Sequence, residues 1–318
     1  MSRPTQHWES HFGRRLKLRD LYILSTVVDW GSMAKAASHL AMSQPTVSES
    51  IVNLESVFGV RLLDRNPQGI EPTRYAHALL KRSRVVFDEL GEAIRDLNFL
   101  LDATVGEVRV ACGDTVAAGL MPAVIDHLSR QYPGMGVHVV QANAETPEFS
   151  ELRERKVDLA LARISAPLLE EDLDVETLFE DPHRVVVGAR SPWARRRKVA
   201  LAELANEPWM FPSGQVIRQL IAEAFKACRL EPPQERVNAS SILLRNHLLA
   251  TGRFVTVLPT SVLRYNARHW SLKALPIDLR VKPRSVAMLM LKNRTASPVV
   301  QLFAKNVRAV AKTMSDMG

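Results

Sequence analysis

Cysteine is scarce in this chain, aromatics are few, and no long apolar run occurs; each shortage removes a class of protein. Only Cys112 and Cys228 are cysteines among 318 residues. Two thiols cannot make a disulfide framework, so a reduced, cytoplasmic setting is expected and both should act as small buried hydrophobes. The longest stretch without Asp, Glu, Lys or Arg is the 14 residues from Gln131 to Ala144. A bilayer-spanning helix needs about 20 apolar residues, so no membrane partner is expected. The opening MSRPTQHWES holds no apolar segment of the kind a secretory leader requires. The nine histidines are scattered and no C-x-x-C spacing occurs, so no metal site and no cofactor are expected. No paired-carboxylate, Cys/His or Ser/His/Asp constellation marks an enzyme.

What is present fits a globular protein of more than one domain. Apolar residues make up 46% and charged residues 24%, and 318 residues exceed what one core normally serves. Forty-two basic against 34 acidic residues give a net charge of +8, which hints at a polyanionic partner. Residues 1–74 hold nine Lys/Arg and seven Asp/Glu, so any nucleic-acid reading must rest on placement rather than on bulk charge. The densest basic run, Arg195–Lys198, reads as a solvated loop face.

Leu18, Leu21, Tyr22 and Leu24 begin an amphipathic helix that Trp30-Gly31 ends. Ser32 is a suitable N-cap for a second helix, Met33–Leu40, which Ala34, Ala36 and Ala37 keep slim. After Ala41-Met42-Ser43 a third helix starts at Gln44-Pro45, where proline's missing N–H costs nothing. Val47, Ile51 and Leu54 form its buried stripe, leaving Gln44, Ser48, Glu49 and Asn53 on other faces. Two short helices joined by a tight turn, the second polar outside, spell helix-turn-helix. A major groove roughly 12 Å wide admits one helix whose first polar side chains reach base edges.

Gly59–Arg65, Asn66-Pro67-Gln68-Gly69 and Ile70–Thr73 follow as two extended pieces around a turn, a small wing. Arg65 at its base either meets phosphate or the minor groove, or pairs with Asp64 or Glu71. Residues 74–102 read as one helix in which Ala76, Leu80, Ser83, Phe87, Leu90, Ile94, Leu97 and Leu101 alternate spacings of four and three. That seam needs an apolar partner, its own chain or a second copy. A second copy suits better, because a two-fold dimer places two reading heads on successive DNA turns.

The run GSMAKAASHLAMSQPTVSESIVNLESVFGVRLLDRNPQGIEPT resembles the winged helix-turn-helix of LysR-type transcriptional regulators. The shared pieces are Gly31-Ser32, Ala36-Ala37, Leu40, Ser43-Gln44-Pro45, Val47-Ser48, Ile51, Leu54-Glu55, Gly59-Val60, Leu63, Arg65 and Pro72-Thr73. LKLRDL and LAMSQPTVS resemble, more weakly, the branch containing galactose-binding-protein and protocatechuate-pathway regulators. The resemblance implies an α + α/β protein in three parts. These are a winged helix-turn-helix over 16–73, a dimerising linker helix over 74–102, and an effector domain of periplasmic-binding-protein type II over 106–318. Lobe I is expected at about 106–163 and 277–318, lobe II at about 164–276. The DNA-binding residues it implies are Ser32, Ser43, Gln44, Pro45, Thr46, Ser48, Glu49, Asn53 and Arg65. Glu49 departs from the family's usual Arg, Lys or small residue, and either accepts from cytosine N4 or pairs with a neighbouring helix. Dimerisation falls to Leu80, Phe87, Leu90, Ile94, Leu97 and Leu101, with dimers assembling to a homotetramer.

From Gly106 onward β-branched runs alternate with helical patterns. Gly106–Cys112, Val137–Gln141 and Val157–Arg163 read as strands, and Pro147–Lys156 as a helix. Their βαβαβ order predicts a parallel sheet. A second lobe is expected from strand Arg184–Ala189 to strand Val255–Leu258, and the chain then returns through Ser285–Leu291. Ligands of open α/β sheets sit at strand C-termini, beside helix N-termini. Asp114, Thr115, Glu145, Thr146, Ser213, Gly214 and Gln215 fall at such ends, with Arg163 and Ser240 nearby. Thr115, Thr146 and Ser213 taken singly read first as plain N-caps, and only their placement at the mouth of one cleft favours a ligand site. Donors with one arginine suit a small carboxylate or a polyol. The expected function is ligand-controlled binding of double-stranded promoter DNA, with RNA polymerase contact implied by the resemblance. The alternative is a constitutive repressor whose cleft is vestigial.

Overall fold

The computed structural model describes residues 15–66, 69–102, 105–142, 149–165, 168 and 170–315, and the chain divides into two units, Met1–Gly91 and Glu92–Gly318. In the first unit the three expected helices form: α1 (Leu18–Trp30), α2 (Met33–His39) and α3 (Gln44–Phe58). Gly31 ends α1 in the left-handed region, φ 60°, donating its N–H to the Val28 carbonyl. The Ser32 Oγ caps α2 by accepting from the Lys35 N–H. Leu40–Ser43 then turns the chain, with Ala41 at φ 52°. Ile23, Leu24, Val27, Ala36, Val47, Ile51, Leu54 and Leu62 are buried together. Each large aliphatic side chain so buried contributes about 1.5–3 kcal/mol.

β1 (Leu63–Asn66) and β2 (Gly69–Pro72) pair antiparallel as the expected wing, Asn66 opposite Gly69. Glu55 on α3 fixes it, because its Oε1 accepts from the Leu62 N–H at 2.7 Å and the Leu63 N–H at 3.3 Å. The Thr73 Oγ1 accepts from the Ala76 N–H and opens α4 (Arg74–Leu101). The seam of α4 is not uniform, and here the expectation of one dimer stripe is corrected. Ala76, Leu80 and Ser83 are buried, Leu80 within the head's own core. Phe87 packs edge-on against Tyr22, ring centroids 5.9 Å apart. Only the later positions are open: Leu90 is 45%, Ile94 61%, Leu97 61% and Leu101 85% exposed.

The second unit contains two five-stranded sheets. In lobe I the order is β4 (Gly134–Gln141), β3 (Val105–Cys112), β5 (Leu159–Ile164), β12 (Arg284–Leu291), β6 (Leu173–Asp181). β3 is parallel to both its neighbours, as the βαβαβ pattern predicts, while β12 is antiparallel to β5 and β6. Helices α5 (Asp114–Gly119), α6 (Met121–Gln131), the single turn α7 (Ser150–Arg153) and the terminal α11 (Pro298–Ser315) complete it. The core runs through Val108, Val110, Leu128, Leu161, Val286, Met288 and Phe303.

Lobe II has the order β11 (Leu272–Ala274), β7 (His183–Gly188), β10 (Val255–Pro259), β8 (Trp209–Phe211), β9 (Glu235–Asn238). Helices α8 (Gln215–Ala227), α9 (Ile242–Ala250) and α10 (Thr260–Asn266) belong with it. Trp209 and Phe225 meet edge to face at 5.6 Å in its core.

Two expectations change. Of the helix expected over Pro147–Lys156, the described residues show only Ser150–Arg153. Lobe I also extends past residue 163: β6 joins its sheet beside β12, so the crossing lies at Pro182, between β6 and β7. β6 was illegible because its residues, LDVETLFED, place charges on an exposed face while burying Leu173, Phe179 and Asp181.

Candidate functional site

Two surfaces carry chemistry. The first is the outer face of α3. The Ser43 Oγ accepts from the Thr46 N–H at 3.3 Å and lies 2.8 Å from the Thr46 Oγ1, so the helix starts sharply and its first side chains are fixed in direction. Gln44, Pro45, Glu49 and Asn53 are exposed, Thr46 and Ser48 half-buried, while Val47, Ser50, Ile51 and Leu54 face inward. Exposed Lys35 and Arg61 stand in the same unit, and sequence reading passed over both. Ser32 serves as the α2 cap. Arg65 pairs with Ile70 through the β-ladder.

The second is a cleft of about 400 Å³ in the two-lobed unit. Asp114, Thr115, Arg163, Ser213, Gly214 and Ser240 line it as expected. Gln215 begins α8 but is exposed outside the lining, and Glu145 and Thr146 lie outside the described residues. Thr115 and Ser213 are not N-caps: Gly113 and Gly214 hold those positions. The Ser213 Oγ instead donates to the Asn238 Oδ1 at 2.7 Å, and the Gln141 amide donates to the Asp114 Oδ1 at 2.6 Å.

Arg163, the one cation expected here, is already neutralised. Its guanidinium pairs with the Asp181 carboxylate and donates to the Asp181 carbonyl at 2.7 Å. Asp181 also accepts from the Ser261 N–H at 2.9 Å and the Ser261 Oγ at 2.6 Å. Arg163 therefore shapes the floor of the cleft.

The free charge comes from residues that sequence reading missed, Arg245 and Arg284, with His183 beside them. Arg245 is 3% exposed on α9, makes no ion pair among the described residues, and has an unpartnered buried Nε. Arg284 donates to the Arg163 carbonyl while its own Nε is unpartnered. Burial lowers Arg245 to about 10, Asp114 opposing the shift, and lowers Arg284 to about 10, with Arg163 adding to it. Both stay cationic at neutral pH. Burial, then Arg163 and Arg284, hold the His183 imidazole well below its ordinary range, so it is neutral. A signal for Arg245 exists in the sequence: α9 reads ILLRNHLLA, yet it buries Arg245 and Asn246 while exposing Leu243 and Leu244. An arginine and an asparagine inside an apolar helix mark either an outer face or a polar site, and periodicity alone does not say which.

Known proteins share both parts. A family model described as the bacterial regulatory helix-turn-helix protein of the lysR family matches residues 18–77, and one described as the LysR substrate binding domain matches residues 102–312. The chain is 26% identical over 301 residues to the HTH-type transcriptional regulator GbpR of Azospirillum brasilense, covering 94% of this chain and 88% of that protein. It is 25% identical over 305 residues to the regulator PcaQ of Agrobacterium fabrum, covering 95% and 97% respectively. Full-length CbnR, solved in complex with its target DNA, has the same fold at a TM-score of 0.65 and 21% identity, covering 93% of this chain and 100% of that one. With a capped recognition helix in one unit, a two-lobed cleft in the other and both family models in register with them, this chain belongs to the LysR family of transcriptional regulators, its helix-turn-helix binding DNA and its lobed domain binding an effector.

Proposed function

We propose that α3 enters the major groove of promoter DNA, that the open half of α4 pairs with a second copy, and that a small ligand in the cleft controls the outcome. The observation that carries this reading is the face of α3. A helix with no DNA role would have little need to present Gln44, Glu49 and Asn53 outward immediately after a hydroxyl cap. Gln44 matches adenine's paired donor and acceptor, and Glu49 suits cytosine N4. Arg65 and Lys35 would supply sequence-independent phosphate contact.

Two copies paired through Leu90, Ile94, Leu97 and Leu101 would present two such helices to a two-fold site, and a pair of dimers would form a tetramer. Effector binding would change how the two heads meet DNA and thereby the contact with RNA polymerase. Some relatives are hydrogen peroxide-inducible genes activators. A thiol switch finds no support at Cys112, which is buried, and burial with Asp114 nearby pushes its thiol up to about 11.

The test is a gel-shift titration of the full chain on the intergenic DNA beside its own gene. Gln44→Ala should weaken specific binding by about 1–3 kcal/mol per half-site, a factor of roughly 5 to 150, and leave random-duplex binding unchanged. Wild-type discrimination in that variant would remove α3 from the groove.

A further inference from the structure

The charge of the cleft is unevenly matched. Three arginines line it, Arg163, Arg245 and Arg284, against one described acidic lining residue, Asp114. The contrast within the trio is informative. Arg163 is given a carboxylate, Asp181, which Ser261 holds from two sides. Arg284 is given only a backbone carbonyl, and Arg245 has no ion-pair partner among the described residues. A buried cation with no ion-pair partner costs several kcal/mol; Arg245 is so buried, with only Asp114 favouring its charge, and Arg284 is half-buried, so a fold that keeps both at one cleft has a use for them.

The two free cations are separate poles. Arg284 begins β12 in the sheet of lobe I, and Arg245 lies on α9 of lobe II. Beside Arg284, His183 offers a buried Nδ1 without a partner, a second hydrogen-bonding group at the same pole. Ser213, Ser240 and Thr115 add polar groups to the same lining. A single acid group would satisfy one pole and leave the other without an ion-pair partner among the described residues.

We infer that the cleft takes a small doubly anionic ligand, one acidic group at Arg284 and His183 by the crossing strands and the other at Arg245 on lobe II. The inference rests on the cleft being the effector site. Such a ligand touches both lobes through charge-assisted hydrogen bonds, so its length as well as its charge is selected. A volume of about 400 Å³ suits a molecule of metabolite size.

The experiment is isothermal calorimetry on the full chain with straight α,ω-dicarboxylates of increasing length, monocarboxylates of the same lengths, and a polyol series. One diacid length should bind at least about tenfold more tightly than its monoacid, the worth of one further charge-assisted bond. Arg245→Gln and Arg284→Gln should each lower that diacid's affinity by about 10- to 100-fold, to the level of the monoacid. Arg245→Lys and Arg284→Lys should recover part of it, and far-UV circular dichroism matching the wild type shows that the four variants fold. Diacids and monoacids of equal affinity, or binding by polyols alone, would overturn the doubly anionic ligand while leaving the cleft an effector site. Heat from none of the three series would overturn the cleft reading together with it.

Discussion

At the scale of the residue, three buried side chains show how much depends on which charges the fold neutralises. Glu92, Asp158 and Arg294 form one such group: Arg294 reaches Asp158 at 3.0 Å and pairs with Glu92, and Arg95 pairs with Glu92 as well. Burial alone would raise the Glu92 carboxyl, but Arg95 and Arg294 outweigh it and hold it below its ordinary value. Replacing Arg294 by Met leaves Glu92 and Asp158 with Arg95 as their remaining cation, 3.9 Å from Asp158, so a loss of up to about 3–5 kcal/mol in urea unfolding is expected. His183 behaves oppositely to a paired histidine. Its folded pKa lies below the ordinary 6.5, so the neutral ring is what the fold accommodates. The stability it lends is present above pH 6.5 and drains away as acid forces a proton onto it. The thermal midpoint should therefore fall below that pH, and His183→Gln should flatten the fall. Close approach sets a third limit. A Cβ at Gly188 would stand 1.8 Å from the Leu249 carbonyl oxygen, which belongs to backbone and cannot step aside. Gly188→Ala should cost more than the about 1–3 kcal/mol of ordinary overpacking, measured by the same unfolding curve.

At the scale of the element, α4 separates what a pattern can and cannot say. Its seam of fours and threes was visible in the sequence, and so was its need for an apolar partner. The partner was not visible, because a heptad stripe looks the same whether it meets its own domain or a second copy. The structure divides it: Leu80 and Phe87 belong to the head, Leu90 onward to open surface. The halves should fail differently. Leu80→Ala should destabilise the head by about 2–5 kcal/mol with the sedimentation coefficient unchanged. Ile94→Asp with Leu97→Asp should leave the melting curve near wild type and produce monomer in sedimentation velocity. A dimer surviving that double change would place the contact elsewhere. The start of helix α3 was legible because Pro45 and the stripe of Val47, Ile51 and Leu54 are local signals, whereas its Ser43 cap was read only as part of the preceding turn. The wing's anchor was not legible, since Glu55 takes the Leu62 and Leu63 amides seven and eight residues on.

At the scale of the whole molecule, the two-part architecture was readable and the fine charge distribution was not. Alternating strands and helices announced the lobed domain, and Arg163 lines the cleft. Its neutralisation by Asp181 depends on β6, a strand whose alternating charges hid it. Arg245 and Arg284, which leave the cleft cationic, lie 39 residues apart in sequence and come to line one cleft only through the return of the chain to lobe I. No local pattern links them.

Asp181 has one more implication. It ends a strand of lobe I, yet its oxygens receive the backbone and hydroxyl of Ser261 on the α10 helix of lobe II. Nearby, the Asn266 amide donates to the Ala118 carbonyl at 2.7 Å. Both halves of the domain are thus stitched together on one side of the crossing. Parting the two lobes on that side would break the Ser261–Asp181 and Asn266–Ala118 hydrogen bonds together.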